Sequence, residues 1–449
     1  MYNPFNKELA DINIEDLAAL RECTEGWFIE YKRELPNSKT IAKSISSFAN
    51  HNGGWLFYGI EGRSGGDTSA ESYPGIAIDE WPRFQERISS AVSSNTNPAP
   101  HFDCRLITGP SDMLGMDSSS GIIIIRIPRG YDTPYIHSSG RIYRRIADQS
   151  DPSAETDRSV LDILWNRRQE ADDRINRILD RTPELSDDEM GQSYLTIHLI
   201  PDPLKERDLQ SSINLDSFSG IMGSHDSMDP SFTCSCKYST SSGFIARQPN
   251  LKSPSGFSLT LSHDYSGTTT AHIPIRSAPV HSSANTKHMQ HYLHGSEFLD
   301  HCLNAGYTHT HWCDLNLLFT MFTATISKHD KLLHEGGIKS SYYFKGHINN
   351  VWRCIPFVDT SSYLHQLSSE GIPQLVNSRY DIHPGRGYNS LVKVDELSID
   401  LGSDAIKRAA IPWALTMKAF GLSRQTLPES LYEVLDACGR GIRAYKQEY

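Results

Sequence analysis

The sequence predicts an α/β (α+β) N-terminal domain followed by a mixed α+β C-terminal domain, and three observations carry that expectation. Residues 27–32 alternate Trp27, Ile29, Tyr31 against Phe28, Glu30, Lys32, the period of a strand. Residues 38–49 place Ile41, Ala42, Ile45, Phe48 and Ala49 on one helical stripe, and Asn52-Gly53-Gly54 stops that helix just before an apolar run, residues 55–61. Past residue 190, strand-like and helix-like runs mix without an internal repeat.

The elements follow in order. Residues 13–22 have the Leu17, Leu20 spacing of a short helix with Asn13 as its N-cap, and Ser38 is the N-cap expected for the next. After a Gly- and Ser-rich loop to about Tyr73 come a helix over 79–94 and strands over 102–107 and 121–127. Ser138-Ser139-Gly140 turns into residues 141–145, and 154–179 reads as a long charged helix. Residues 182–192 are an acidic linker holding Glu184, Asp187, Asp188 and Glu189, and 194–200 is a strand. Residues 211–242, rich in Ser, Asp and Gly, read as loop. Two strands are expected over 243–275, two short helices over 288–304, a strand over 351–358, and closing helices over 404–420 and 428–447. The domains are thus 1–181, a linker, and 193–449, whose fold the pattern does not name.

A chain of 449 residues can bury a large core without disulfides. Its eight cysteines form no CxxC pair, and no apolar run approaches 18 residues, so a reduced, cytoplasmic protein without a membrane span is expected. The net charge of −11 argues against a globally basic nucleic-acid binder but leaves room for a local basic groove.

The puzzle lies in TEGWFIEYKREL, residues 24–35, where Glu25 and Glu30 sit inside an apolar strand. A carboxylate there is costly to desolvate unless paired, hydrated or metal-bound. Gly26 permits a turn or bulge that lets both acids face one cleft. One reading is a hard-cation site for Mg²⁺ or Mn²⁺ with Lys32 beside the phosphate; the other is strand-edge charges paired with Lys32 or Arg33.

ExxxxEYK, a helix closing SSFANHNGG, and the strand WLFYGIE together resemble the AlbA-like domain of the Schlafen family, and SSGRIYRRIADQSDPSAE is similar to that family's late segment. The resemblance spans roughly Glu25 to Arg168, about a third of the chain. It implies metal-dependent endoribonuclease cleavage of structured RNA such as tRNA, in stress or antiphage defence. Carried over by position, the implied carboxylates are Glu25, Glu30 and Glu61, the last standing where the family usually has Asp. The family's nucleases enclose RNA between two such lobes, whereas this chain holds one motif set. The missing wall is expected from the C-terminal half or from a second chain, and a homodimer is the favoured expectation, with Val160, Leu161, Ile163, Leu164 and Trp165 offering apolar area.

Arg126, Arg129, Arg141, Arg144 and Arg145 form the one clearly basic segment, read either as a phosphate-tracking groove or as a solvated face. Tyr135 and Tyr143 stack on bases or simply pack, and His51, Lys39 and Lys43 lie on the polar side of the FANHNGG helix. His288, His291, His294, His301, His309, His311 and Cys313 are a second cluster, whose order matches no known ligand pattern; polar surface and core histidines are the alternative to Zn²⁺. Two functions stay open, an endoribonuclease and a non-catalytic DNA- or RNA-binding regulator with a C-terminal sensing domain.

Overall fold

A computed structural model describes residues 2–7, 9–63, 65, 67–146, 151–181, 189, 191–203, 209, 212–224, 232–248, 259–338, 341–394 and 404–422. The chain divides into two compact units, Met1–Asp173 and Arg174–Tyr449. Most of the acidic segment 182–192 lies outside the described residues.

In the first unit, β1 (Ile29–Lys32) pairs in parallel with β2 (Gly54–Tyr58), Glu30 opposite Leu56. The helix α1 (Ser38–Asn50) supplies the crossover that a parallel pair requires. Its N-cap is Asn37, not Ser38: the Asn37 carboxamide oxygen accepts the Thr40 N–H at 3.0 Å. At the other end Gly53, with φ 77°, lets its N–H reach back to the Phe48 carbonyl at 2.9 Å. Gly54 then lies so close that a Cβ would meet the Phe48 ring at 2.4 Å.

Next come the short strands β3 (Glu61–Gly62), β4 (Ala70–Ser72) and β5 (Ile76–Ala77), then α2 (Trp81–Asn95), β6 (Asp103–Thr108) and β7 (Ser120–Ile127). The main sheet runs β1-β2-β7-β5, with β6 also on β7, and all pairs but the first are antiparallel. Period-two alternation sends Ile29, Tyr31, Trp55 and Phe57 to one face, against Leu17 and Leu20 of the 3-10 helix Glu15–Glu22. Leu56, Tyr58, Ile123 and Ile125 face α1 and α2 through Ile41, Ile45, Phe48 and Ile88. Glu30, between Ile29 and Tyr31, therefore points under α1. The segment 141–145 forms only the short β8 (Tyr143–Arg144), paired with β9 (Ser153–Ala154), and α3 (Arg158–Leu179) follows.

The second unit holds an eight-stranded antiparallel sheet. Its strands are β10 (Tyr194–Pro201), β11 (Cys236–Thr240), β12 (Gly243–Gln248), β13 (Leu259–Asp264) and β14 (Thr269–Pro274), with further strands from the later chain. β15 (Ser277–Pro279), β16 (His311–Asp314) and, later, β18 (Ile355–Phe357) form a separate small sheet. β17 (Tyr342–Asn349) pairs with β10, β19 (Arg379–Asp381) and β20 (Val392–Val394). The core is built on a helix the sequence pattern did not announce, Leu315–Glu335, buried at Leu318, Phe319, Phe322 and Ile326. Trp413 of the helix Asp404–Ala419 packs on Phe319 and Phe322, ring centroids 4.9 and 5.6 Å away.

Segments expected to be loop carry structure as well. Residues 211–242 contain the helix Leu215–Gly223, capped reciprocally by Asn214 and Ser217, besides β11. The strand expected over 351–358 shrinks to Ile355–Phe357, and the helix expected over 428–447 lies outside the described residues. Among the described residues no helix is long and apolar enough to cross a membrane.

Candidate functional site

Glu30 is fully buried under α1, and its surroundings are built to neutralise it. One carboxylate oxygen accepts from the Ser44 hydroxyl at 3.1 Å and lies 3.2 Å from Lys32 Nζ. The other accepts from Arg145 at 3.1 Å. Arg145 is itself fully buried; it donates from Nε and Nη2 to the Gly26 carbonyl at 3.0 and 2.8 Å, and its guanidinium lies 4.9 Å over the Phe48 ring. Breaking such a pair by removing one partner costs about 3–5 kcal/mol, because it strands the other charge.

Glu25 is half-buried and accepts the Tyr31 N–H at 2.7 Å. Burial pushes its carboxyl above the usual carboxylate range; the Glu30 charge adds to that, while the Tyr31 N–H and Lys32 oppose it. A side chain on Gly62 would come within 3.9 Å of the Glu25 carboxyl carbon. Glu61, on β3, is held by Arg33 at 3.3 Å and by the Ser72 hydroxyl at 3.1 Å.

The three acids thus have separate partners, and among the described residues no three His, Cys, Asp or Glu side chains are placed to hold a metal. A hard divalent cation needs carboxylate oxygens free to face it, and both oxygens of Glu30 are committed to cationic or hydroxyl donors. The donor set expected at Glu25, Glu30 and Glu61 does not fit Mg²⁺ or Mn²⁺ in this arrangement. Lys32 is engaged with Glu30 rather than standing free for a phosphate.

The basic residues also separate. Arg145, expected at a nucleic-acid surface, cannot reach one, because it is buried in the Glu30 pair. Arg126 is paired with Asp103 at 2.8 Å, and Arg144 with Glu155 at 2.9 Å. Arg129 and Arg141 are exposed, and Lys43 Nζ sits 5.0 Å over the Tyr143 ring. Arg129 has no acidic partner among the described residues.

A centre emerges around His51, just past the end of α1. Burial, then the charges of Arg144, Arg167, Arg129 and Arg145, drive its imidazole down to about 4, so it is neutral near pH 7. Arg167, from α3, spreads its fork over the carbonyls of Ala49, Asn50 and Gly130, each at 3.4 Å. Burial and then Arg129 lower its guanidinium to about 10. Trp27, exposed at 39 %, lies over His51 with ring centroids 4.6 Å apart and planes tilted by 31°. Sequence reasoning missed Arg167 and the exposure of Trp27. Nothing in the charged helix singles Arg167 out, and strand periodicity places Trp27 with Ile29 and Tyr31 in the core.

The histidine cluster disperses. His288 and Tyr292 both bond the buried Asp314, which caps the helix Leu315–Glu335, and His301 bonds Ser368 at 2.7 Å. His281 and His309 meet edge to face.

The first unit is therefore an α/β domain that presents arginines around a glycine-terminated helix end. Residues 25–154 of it match the family described as Schlafen, AlbA_2, and the segment is an AlbA-like domain of that family. No curated protein matches the chain. Among solved structures, the N-terminal domain of an ATP-dependent DNA helicase RecG-related protein from Nitrosomonas europaea is 20% identical, over 32% of this chain and 92% of that one, at a TM-score of 0.24. The DIP2311 protein from Corynebacterium diphtheriae is 12% identical, over 43% of this chain and 32% of that one, at a TM-score of 0.19.

Proposed function

We propose that the N-terminal domain is a nucleic-acid-binding module that grips phosphates through Arg129, with Arg144, paired to Glu155, and Arg167, held on backbone carbonyls, adding positive potential beside it. The observation carrying this reading is the concentration of arginine charge on one imidazole, His51, in a chain of net charge −11. Like charges gathered this way repel, and a polyanion relieves that repulsion while releasing its counterions. Titrating a fluorescein-labelled RNA at several salt concentrations tests it: Arg129→Ala should weaken binding and reduce the slope of log K against log salt by about 0.7–0.9. An unchanged slope would return Arg129 to the solvated face.

A second reading, endoribonuclease cleavage of structured RNA such as tRNA in stress or antiphage defence, is favoured by one observation. Burial raises the Glu25 carboxyl above the usual carboxylate range, against the opposing Tyr31 N–H and Lys32 charge, and that is the direction of shift a general acid or base needs. Incubating the protein with total tRNA, with Mn²⁺ or with chelator, decides it: intact tRNA in both leaves binding alone. A cytoplasmic homodimer belongs to the same proposal, with the exposed Ile163 and Trp165 of α3 at its interface. Light scattering giving a monomer mass would remove it.

A further inference from the structure

We infer that Trp27 and His51 form a stacking platform for an unpaired base, which directs the domain to single-stranded or looped nucleic acid; the inference rests on the nucleic-acid reading above.

Trp27 leaves the core because the chain turns before β1 begins, a turn closed by the Gly26 N–H to the Ile29 carbonyl at 3.0 Å. That turn is pinned from below by the Arg145 fork on the Gly26 carbonyl. The buried ion pair with Glu30 thus holds an exposed indole in place. Beneath the indole, His51 is buried, its backbone N–H donating to the Phe48 carbonyl at 3.0 Å. The aromatic run continues past it, Phe28 at 6.4 Å from His51 and Tyr2 stacked on Phe28 at 5.5 Å and 26°. Tyr2, at its far end, is 43 % exposed. An exposed tryptophan backed by three more rings and fixed by a buried salt bridge is pre-organised, so little side-chain entropy is lost when a flat ligand lands on it.

The surroundings select the ligand. His51 has Arg129, Arg144 and Arg167 as its charged neighbours, so a base on Trp27 would carry its own phosphates toward cations. In a duplex, base faces are hidden between neighbours, and a duplex offers this surface only its backbone. An unpaired nucleotide offers both a π-face and a phosphate.

The test uses the full chain and two labelled RNA probes of equal length, a uridine single strand and a blunt duplex, at one low salt concentration. Trp27→Ala should weaken single-strand binding roughly 5- to 150-fold while leaving duplex binding within about twofold. Trp27→Phe should recover most of the loss, and Arg129→Ala should weaken both probes. Because Trp27 is exposed, the variants should melt close to the parent, which excludes misfolding. If Trp27→Ala binds the single strand like the parent, or loses equally on both probes, the platform is wrong and Trp27 becomes a candidate protein contact. If the parent binds neither probe, the nucleic-acid reading fails and the platform falls with it; if the parent binds both and only Trp27 is silent, the platform alone is rejected.

Discussion

Replacing Glu30 by Gln separates a structural acid from a chemical one. The substitution keeps the shape and leaves an oxygen for the Ser44 hydroxyl and Lys32, but puts an amide nitrogen where Arg145 now donates. Lys32 is partly exposed and can swing into water; Arg145 has no exposed surface and cannot. Its bonds to Gly26 and Ile29 persist, so the penalty is the uncompensated charge, about 3 kcal/mol. For a unit of this size each kcal/mol moves the midpoint by about 2–4 °C, so calorimetry should show its transition falling by about 6–12 °C. The second unit's transition should hold. Glu30→Gln, Arg145→Met, which leaves no stranded charge, should recover part of the loss. A Glu30→Gln protein that melts with the parent yet loses RNA cleavage would refute the structural assignment and make Glu30 a reacting group.

Three further outcomes follow from the same geometry. His51 has a folded-state value of about 4, below the ordinary value of 6.5, so the unfolded chain takes up the proton first; stability is fully present above about pH 6.5 and is lost as pH falls toward 4. His51→Asn should therefore flatten the decline in melting temperature between pH 7 and pH 5, and an identical decline would show that His51 does not contribute. Gly54→Ala would drive a methyl group into the Phe48 ring and the Phe28 carbonyl, and should cost about 1–3 kcal/mol in denaturant unfolding. Asp314→Ala removes both the cap of Leu315–Glu335 and the acceptor of His288 and Tyr292; it should lower only the second unit's transition, by several kcal/mol, and a shift in the first unit instead would contradict this.

The first unit was legible where local chemistry punctuates the chain. The stripe Ile41, Ile45, Phe48 and the Gly53-Gly54 stop define α1, and alternation around Ile29 and Tyr31 defines β1. What stayed hidden depends on distant partners. Glu30 meets Arg145 across 115 positions, so no window of sequence distinguishes a buried ion pair from a metal ligand and a surface arginine. In the second unit, Leu315–Glu335 is buried around much of its circumference, with Thr320, Thr323 and Thr325 inside, and so lacks the one-sided stripe that marks a surface helix. β17 is buried nearly throughout and lacks clear alternation for the same reason.

The Glu30–Arg145 pair also places a constraint in time. During synthesis Glu30 emerges ahead of Arg145, with the helix that must cover it close behind, yet its principal counter-charge is 115 residues away. At roughly 5–20 residues per second the ribosome needs about 6–23 seconds to supply it. Until then, closing α1 over β1 would bury a carboxylate with only Ser44 and Lys32 to receive it, so the early strand and helix gain little by docking. The domain is thereby timed to close late, once the segment carrying Arg144 and Arg145 is made, and a nascent chain halted before Arg145 should remain open to protease.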